Sequence, residues 1–286
     1  MEAKSFDAVE FRTGQRRQWN SAATGWRKWS ELIDRGASGI SERLVELAWV
    51  EPGFRVLDVA AGYGEPSLTA ARRAGAKGGV VATDISPEML AYSRERAAAA
   101  GLDNVESVEC DAVSLDYPEA SFDAAVSRFG IIFEPDGEAA AARIRSLLKP
   151  GARIAISSWG SPDQVPFLAI PMRTAMQHLQ VAPPPPGTPG PLSRPTPEAL
   201  GGLLGAGGFS DIEVETAEVT FEWESPEEFT TFIKEIAPPI TSMIAPHPPD
   251  VQEEAWAAIT EAIREATGDA GTVRLTNLVL LASGRA

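Results

Sequence analysis

The chain of 286 residues is 44% hydrophobic and 23% charged, ordinary usage for a globular α/β protein and too apolar for a disordered one. Its 25 Lys and Arg against 40 Asp and Glu give a net charge of −15, which repels phosphate backbones and anionic lipid, so no nucleic acid partner is expected. One cysteine and two histidines leave no internal disulfide and no Cys/His metal cluster, and no apolar run reaches the roughly 18 residues of a membrane span, so a cytoplasmic location without a leader or span is expected.

Residues 1–50 read as helix, with Trp19, Trp26, Trp29, Ile33, Ile40, Leu44 and Leu47 near helical spacing, until Pro52-Gly53 breaks the pattern. Arg55–Ala60 (RVLDVA) is short, branched and apolar, as a buried strand is. Gly62 and Gly64 form a tight turn, and Pro66 suits the first turn of a helix running to Gly75. Gly79–Thr83 is a second strand; Ser86 is a good N-cap, Pro87 fits the first helical position, and Gly101 fits just past that helix's end. Strands over Val105–Glu109 and Asp123–Ser127, a helix over Glu138–Leu148 and a strand over Ala152–Trp159 continue the alternation. Strand and helix in alternating short blocks mean βαβ units, a doubly wound parallel sheet and right-handed crossovers.

After Trp159 the rhythm changes. Residues 160–198 carry the proline-rich APPPPGTPGP and are expected to be largely irregular, followed by a short helix at Glu198–Leu204 and a turn at Gly207–Phe209. A strand is expected over Ile212–Trp223, helices interrupted by prolines over 226–268, and a closing strand over Val273–Ala282.

The chemistry concentrates in three acids, each at or just after a strand end: Asp58, Asp84 and Asp111. Ligands of doubly wound sheets bind beyond the carboxyl ends of the strands, at the switch point. Gly62 and Gly64 let backbone approach a ligand without Cβ clashes, with Tyr63 between them in the turn. Asp84, about 20 residues past Gly64, suits the two hydroxyls of a ribose. Asp111 and the Ala112 N–H suit the edge of an adenine ring, and Ile85 and Met89 its faces. Asp58, an acid just before the glycine turn, suits a cationic amino group. A dinucleotide site wants a third glycine, whereas here Gly64 is followed by Glu65-Pro66-Ser67, which would set a carboxylate against phosphates. The expected ligand is an adenosine with a charged amino-acid-like tail and no phosphate.

With these residues the sequence resembles the class I S-adenosylmethionine-dependent methyltransferases, and most closely the broad ubiquinone/menaquinone C-methyltransferase-like group. The resemblance is carried by VLDVAAGYGEPSL (Val56–Leu68), VVATDISPEML (Val80–Leu90), ECDA (Glu109–Ala112), SFDAAVSRFGIIF (Ser121–Phe133) and LLKPGARIAISSW (Leu147–Trp159). It implies a Rossmann-like sheet of seven strands, mostly parallel with the last antiparallel, and S-adenosyl-L-methionine as cofactor. It also implies that Asp58 and the Gly62–Gly64 turn hold the methionine part, Asp84 the ribose, and Asp111 with Ala112 the adenine. Ser127, Arg128 and Phe129 would lie near the methionyl end and the acceptor. Ala60 stands where the commonest motif has its first glycine. The family often closes its site with an aromatic N-terminal helix, which brings Trp26 to the cofactor. Residues 1–50 are then a lid, and 51–286 one methyltransferase domain with insertions at about 160–198 and 226–268.

The acceptor is expected to be a small hydrophobic molecule, with O-, C- or N-methylation open. No catalytic residue is assigned; His178 or His247 can serve as a base if the nucleophile must lose a proton, and His178 is placed with Arg128 and Phe129 in the acceptor site. No metal is expected, and composition leaves a homodimer open. Two other functions are compatible with the pattern: a cofactor-binding protein that is regulatory or uses the sulfonium for other chemistry, and a nicotinamide-dependent oxidoreductase.

Overall fold

The computed structural model describes residues 7–185, 187–268 and 271–286. Helix α1 (Ala8–Leu47) begins where the Asp7 carboxylate caps the Val9 and Glu10 N–H groups. It buries Ile33, Ala37, Ile40 and Leu44 along one stripe and packs against much of the domain. Two glycines lie inside this helix because a neighbour leaves no room for a side chain. A Cβ on Gly25 would stand 2.1 Å from the Glu235 carbonyl oxygen, and one on Gly36 would stand 2.5 Å from the Phe221 ring.

The alternating core follows in the expected order: β1 (Arg55–Val59), α2 (Ser67–Ala74), β2 (Gly79–Asp84), α3 (Pro87–Ala99), β3 (Val105–Glu109), β4 (Phe122–Arg128), α4 (Gly137–Leu147) and β5 (Leu148–Trp159). Ser86 caps α3 through the Met89 N–H, with Pro87 at its first position. The remainder is α5 (Pro166–Leu179), α6 (Pro197–Ala206), β6 (Ser210–Trp223), α7 (Pro226–Ile236), α8 (Pro238–Ile244), α9 (Pro249–Thr267) and β7 (Val273–Arg285). The expectation of a largely irregular 160–198 needs correction: α5 occupies fourteen of those residues despite Pro171 in its interior.

The seven strands form one sheet in the order β3-β2-β1-β4-β5-β7-β6. β1 to β5 pair in parallel, and β7 runs antiparallel to both β5 and β6. The expected sheet, with its reversed last strand, is the one found. The chain winds outward from β1 through β2 to β3, then returns to β4 on β1's other side, so the switch point lies between β1 and β4.

Candidate active site

A deep cavity opens at that switch point, beyond the carboxyl ends of the strands. One half is built by the β1–β3 side and the other by β4, β5, β6 and the helices beyond them.

In the first half, Gly62 holds φ +54° and lines the cavity, and a Cβ there would meet nothing within 4 Å. The position needs glycine for its left-handed backbone, and a side chain would enter the ligand's space. Asp84 also lines the cavity; its Oδ2 accepts the Gly62 N–H at 2.8 Å and its Oδ1 the Ser86 N–H at 2.8 Å. Burial pushes this carboxyl up to about 6, opposed by those N–H groups, so it is largely ionised at neutral pH. A carboxylate held on one side by backbone keeps lone pairs for hydroxyls on the other. Ile85, Met89 and Ala112 line the same half, as do Ala60 and Tyr63. Ala60 adopts φ +57°, the conformation for which glycine is the usual residue.

Four residues expected at the ligand do not line the cavity. Asp58 is fully buried outside the lining; its Oδ2 accepts the Ser67 hydroxyl at 2.6 Å while Oδ1 has no partner among the described residues. Its hydrogen bond ties β1 to Ser67 at the start of α2, behind the glycine turn. Asp111 also lies outside the lining, its Oδ1 accepting the Val113 and Ser114 N–H groups of its own turn. Ser127 is buried, donating to the Val59 carbonyl at 2.8 Å and accepting the Ile131 N–H, which ties β1 to β4. Gly64, at φ +111°, packs on Ser93 and does not line the cavity.

In the second half, Phe129 lines the wall with its ring stacked on Trp159, centroids 4.1 Å apart and planes within 3°. Its φ of +57° is rare for so bulky a residue and marks a position the surroundings enforce. Phe167, Leu168, Phe221 and Phe232 complete an aromatic box. Residue type alone does not separate such a cavity wall from a packed interior. Arg128 lines the cavity where the two halves meet and is buried. His178 does not reach this site: on α5, outside the lining, its Nε2 is 3.7 Å from Glu254. His247 follows α8 and is likewise outside the lining.

Helix α1 lines the cavity through Arg12, Gln15, Trp19, Trp26, Ile33 and Ala37. Trp26 lines the cavity, donates its indole N–H to the Ile236 carbonyl and lies 5.3 Å from the Tyr63 ring. Trp19 packs edge-on to Phe133. Two residues missed from the sequence, Arg12 and Glu134, join α1 to the loop after β4 at 2.6 Å, and Arg16 pairs with Glu109. Arginines on an otherwise polar helix face carry no signal that they reach across a cavity.

Residues 56–151 match the family described as the methyltransferase domain. Ubiquinone/menaquinone biosynthesis C-methyltransferase UbiE of Teredinibacter turnerae is 37% identical over 147 residues, 51% of this chain and 59% of that protein. Aklanonic acid methyltransferase DauC of Streptomyces is 36% identical over 119 residues, 42% of this chain and 54% of that protein. The chain thus spans little more than half the length of these curated relatives. In fold, it is similar to the YcgJ protein of Bacillus subtilis, with a TM-score of 0.55 at 17% identity over 86% of this chain and 98% of that one. Neither alternative function is favoured by these matches. Among the described residues, no helix is long and apolar enough to cross a membrane. Over residues 56–151 the chain matches a methyltransferase domain, set on a Rossmann-like sheet of seven strands, and over about half its length it is similar to the ubiquinone/menaquinone C-methyltransferases.

Proposed function

We propose that this protein transfers a methyl group from S-adenosylmethionine to a small, largely hydrophobic molecule. The observation that carries the reading is the cavity-lining pair of Asp84 and Gly62: a buried carboxylate fixed by a left-handed glycine whose missing side chain leaves the ligand's space open. Asp84 would hold the ribose, Ile85 and Met89 the faces of the base, the backbone at Cys110–Ala112 its edge, and Ala60–Tyr63 the amino-acid tail. The two relatives' names, a quinone-pathway enzyme and an aklanonic acid methyltransferase, support a small-molecule acceptor.

When bound, S-adenosylmethionine supplies a methyl group on a positively charged sulfur, already activated for attack. The protein's residues then have three tasks. The glycine turn and Asp84 orient the cofactor side, the box around Phe129 and Trp159 orients the acceptor, and α1 with Trp19 and Trp26 excludes water. Residues 1–50 act as a lid on a domain formed by 51–286, with the segments at about 160–198 and 226–268 as insertions that build the acceptor side. A cytoplasmic location follows from the same reading.

Calorimetry with S-adenosylhomocysteine tests the first step. The expected result is binding to the native protein and a loss of about tenfold or more in Asp84→Ala, where a charged acceptor of hydroxyl hydrogen bonds is removed. Equal affinities would refute the site. Transfer of labelled methyl to a small-molecule panel then separates an enzyme from a cofactor-binding protein.

A further inference from the structure

Arg128 lies nine-tenths buried at the floor of the cavity, between the cofactor half and the aromatic half. Its Nη1 donates to Ser41 Oγ at 2.9 Å and to the Ala37 carbonyl at 3.4 Å, and its Nη2 to the Tyr63 hydroxyl at 2.7 Å. Among the described residues it forms no ion pair. The charges around it do not supply one. The Tyr63 phenol, pushed up to about 12 by burial, stays neutral. Asp34, reached through that phenol, is paired with Arg96 at 2.5 Å. Glu65 accepts the Thr69 hydroxyl and faces Arg72 at 3.8 Å. Asp58 is held beneath the turn by Ser67. A buried guanidinium without a counter-ion is costly, and an anion in the cavity would offset that cost.

The aromatic half lacks the other element that an ordinary acid–base mechanism needs. Phe129, Trp159, Phe167, Phe221 and Phe232 carry no group that takes a proton. The groups of the lining that can take a proton lie on the cofactor side or at the mouth: Asp84, Glu65 and the Tyr63 phenol by the turn, the phenol already held by Arg128 and Asp34, Cys110 pushed up to about 11 by burial, and Glu134 paired with Arg12. Both histidines are outside.

Resting on the methyl-transfer reading above, we propose that the acceptor is a planar aromatic or conjugated organic anion that ionises in solution, a carboxylic acid or an acidic phenol or enol, and that Arg128 is its counter-ion. In the transfer, a lone pair of the anion forms the bond to the methyl carbon as the carbon–sulfur bond breaks, and that bond's electron pair stays on sulfur. Anion and sulfonium both become neutral, no proton moves, and no base is required. The methylated product has lost the charge that Arg128 held, which favours its release.

The test uses 2-naphthoate and its neutral analogue 2-naphthamide as probes, titrated into the protein saturated with S-adenosylhomocysteine. The native protein is expected to bind the acid about tenfold or more tightly than the amide, as charge-assisted hydrogen bonds require. Arg128→Met should abolish that preference and Arg128→Lys retain part of it, both with S-adenosylhomocysteine affinity within about threefold of native. Equal binding of acid and amide by the native protein, or binding of neither, would overturn the proposal without touching the cofactor reading. A parallel collapse of S-adenosylhomocysteine affinity in Arg128→Met would overturn it by assigning the guanidinium to the cofactor's own carboxylate. The native acid–amide comparison needs no variant, so it decides even if substitution at Arg128 disrupts folding. Failure of the native protein to bind S-adenosylhomocysteine at all would instead refute the methyltransferase reading.

Discussion

The Tyr63 hydroxyl accepts the Arg128 guanidinium at 2.7 Å and donates its own hydrogen to Asp34 at 2.8 Å, so one phenol between the two glycines links β4 to α1. Tyr63→Phe keeps the ring against Trp26 but removes the link. A buried charged donor then loses an acceptor, and stability should fall by about 1–3 kcal/mol in urea denaturation with an unchanged slope. No measurable loss would mean that water or the second half of the cavity satisfies Arg128 without Tyr63.

The left-handed turn supplies a second prediction. Ala60 at φ +57° places its Cβ 2.5 Å from where a side chain on Gly130 would begin. Gly130→Ala alone should be strongly destabilising, by about 1–3 kcal/mol from overpacking. Ala60→Gly removes both that methyl and the left-handed strain, so the cost of Gly130→Ala should shrink in the Ala60→Gly background. It should not vanish, because Ser127 Oγ at 3.0 Å and the Ala60 carbonyl at 3.1 Å still crowd the site. Thermal or urea unfolding of the four members of the cycle measures the coupling, and additive effects would exclude a direct clash.

These two turns show which parts of the site were legible in the sequence. Gly62 and Asp84 could be read because their roles are local: a backbone needing φ > 0, and an acid at a strand end one βα unit later. Asp58, expected at the ligand but outside the lining, was harder to place for the opposite reason. Alternation along β1 decides whether its carboxylate faces the cavity or the layer beneath, and a strand buried on both faces gives no alternating pattern to read. Apart from Phe129, the aromatic box was hidden because its members come from β5, α5, β6 and α7 and share the residue types of any core. His178 attracted attention by chemistry alone, and nothing in its neighbours placed it at the cavity. The path of α5 was obscured by proline, although Pro166 sits in its first turn, where proline is tolerated. The order of the parallel strands was readable, since glycine and proline punctuate the chain near most of their ends, although Pro150 and Gly151 lie inside β5 and the reversal of β7 was implied by the family resemblance alone.

The pairing of Arg12 with Glu134 predicts how the mouth opens. Both carboxylate and guanidinium are shielded, with side chains 7% and 21% exposed, so the pair is screened less than an ordinary surface bridge. Arg12→Ala should speed dissociation of S-adenosylhomocysteine by about threefold to tenfold in stopped-flow experiments, while the melting temperature changes little, since surface-proximal pairs contribute about 1 kcal/mol or less to global stability. An unaltered off-rate would mean that α1 does not gate the cavity and would count against reading residues 1–50 as a lid.

Asp58 makes stability depend on pH with an unusual sign. Burial pushes its carboxyl up to about 7, against the opposing Ser67 hydrogen bond and the more distant Arg128, whereas in the unfolded chain it titrates near the ordinary value of 3.8. Below both values, the group is protonated in both states and its preference for the folded protein is fully present. As pH rises from about 4 to about 7, the unfolded chain releases the proton first, and this contribution is progressively lost; above about 7 it is gone. The interval corresponds to at most about 4 kcal/mol. Asp58→Asn replaces the protonated acid with a neutral group of similar shape that still accepts the Ser67 hydroxyl. Relative to the native protein, it should therefore gain stability with rising pH across that window and level off beyond it. Urea denaturation of both proteins at intervals from pH 4 to pH 8 measures the difference directly, with the other carboxylates cancelling between the two. A difference that stays constant across the range would show that Asp58 is ionised in the folded protein as readily as in the unfolded one. Its partnerless oxygen would then have found a donor that the buried site beneath the glycine turn does not display.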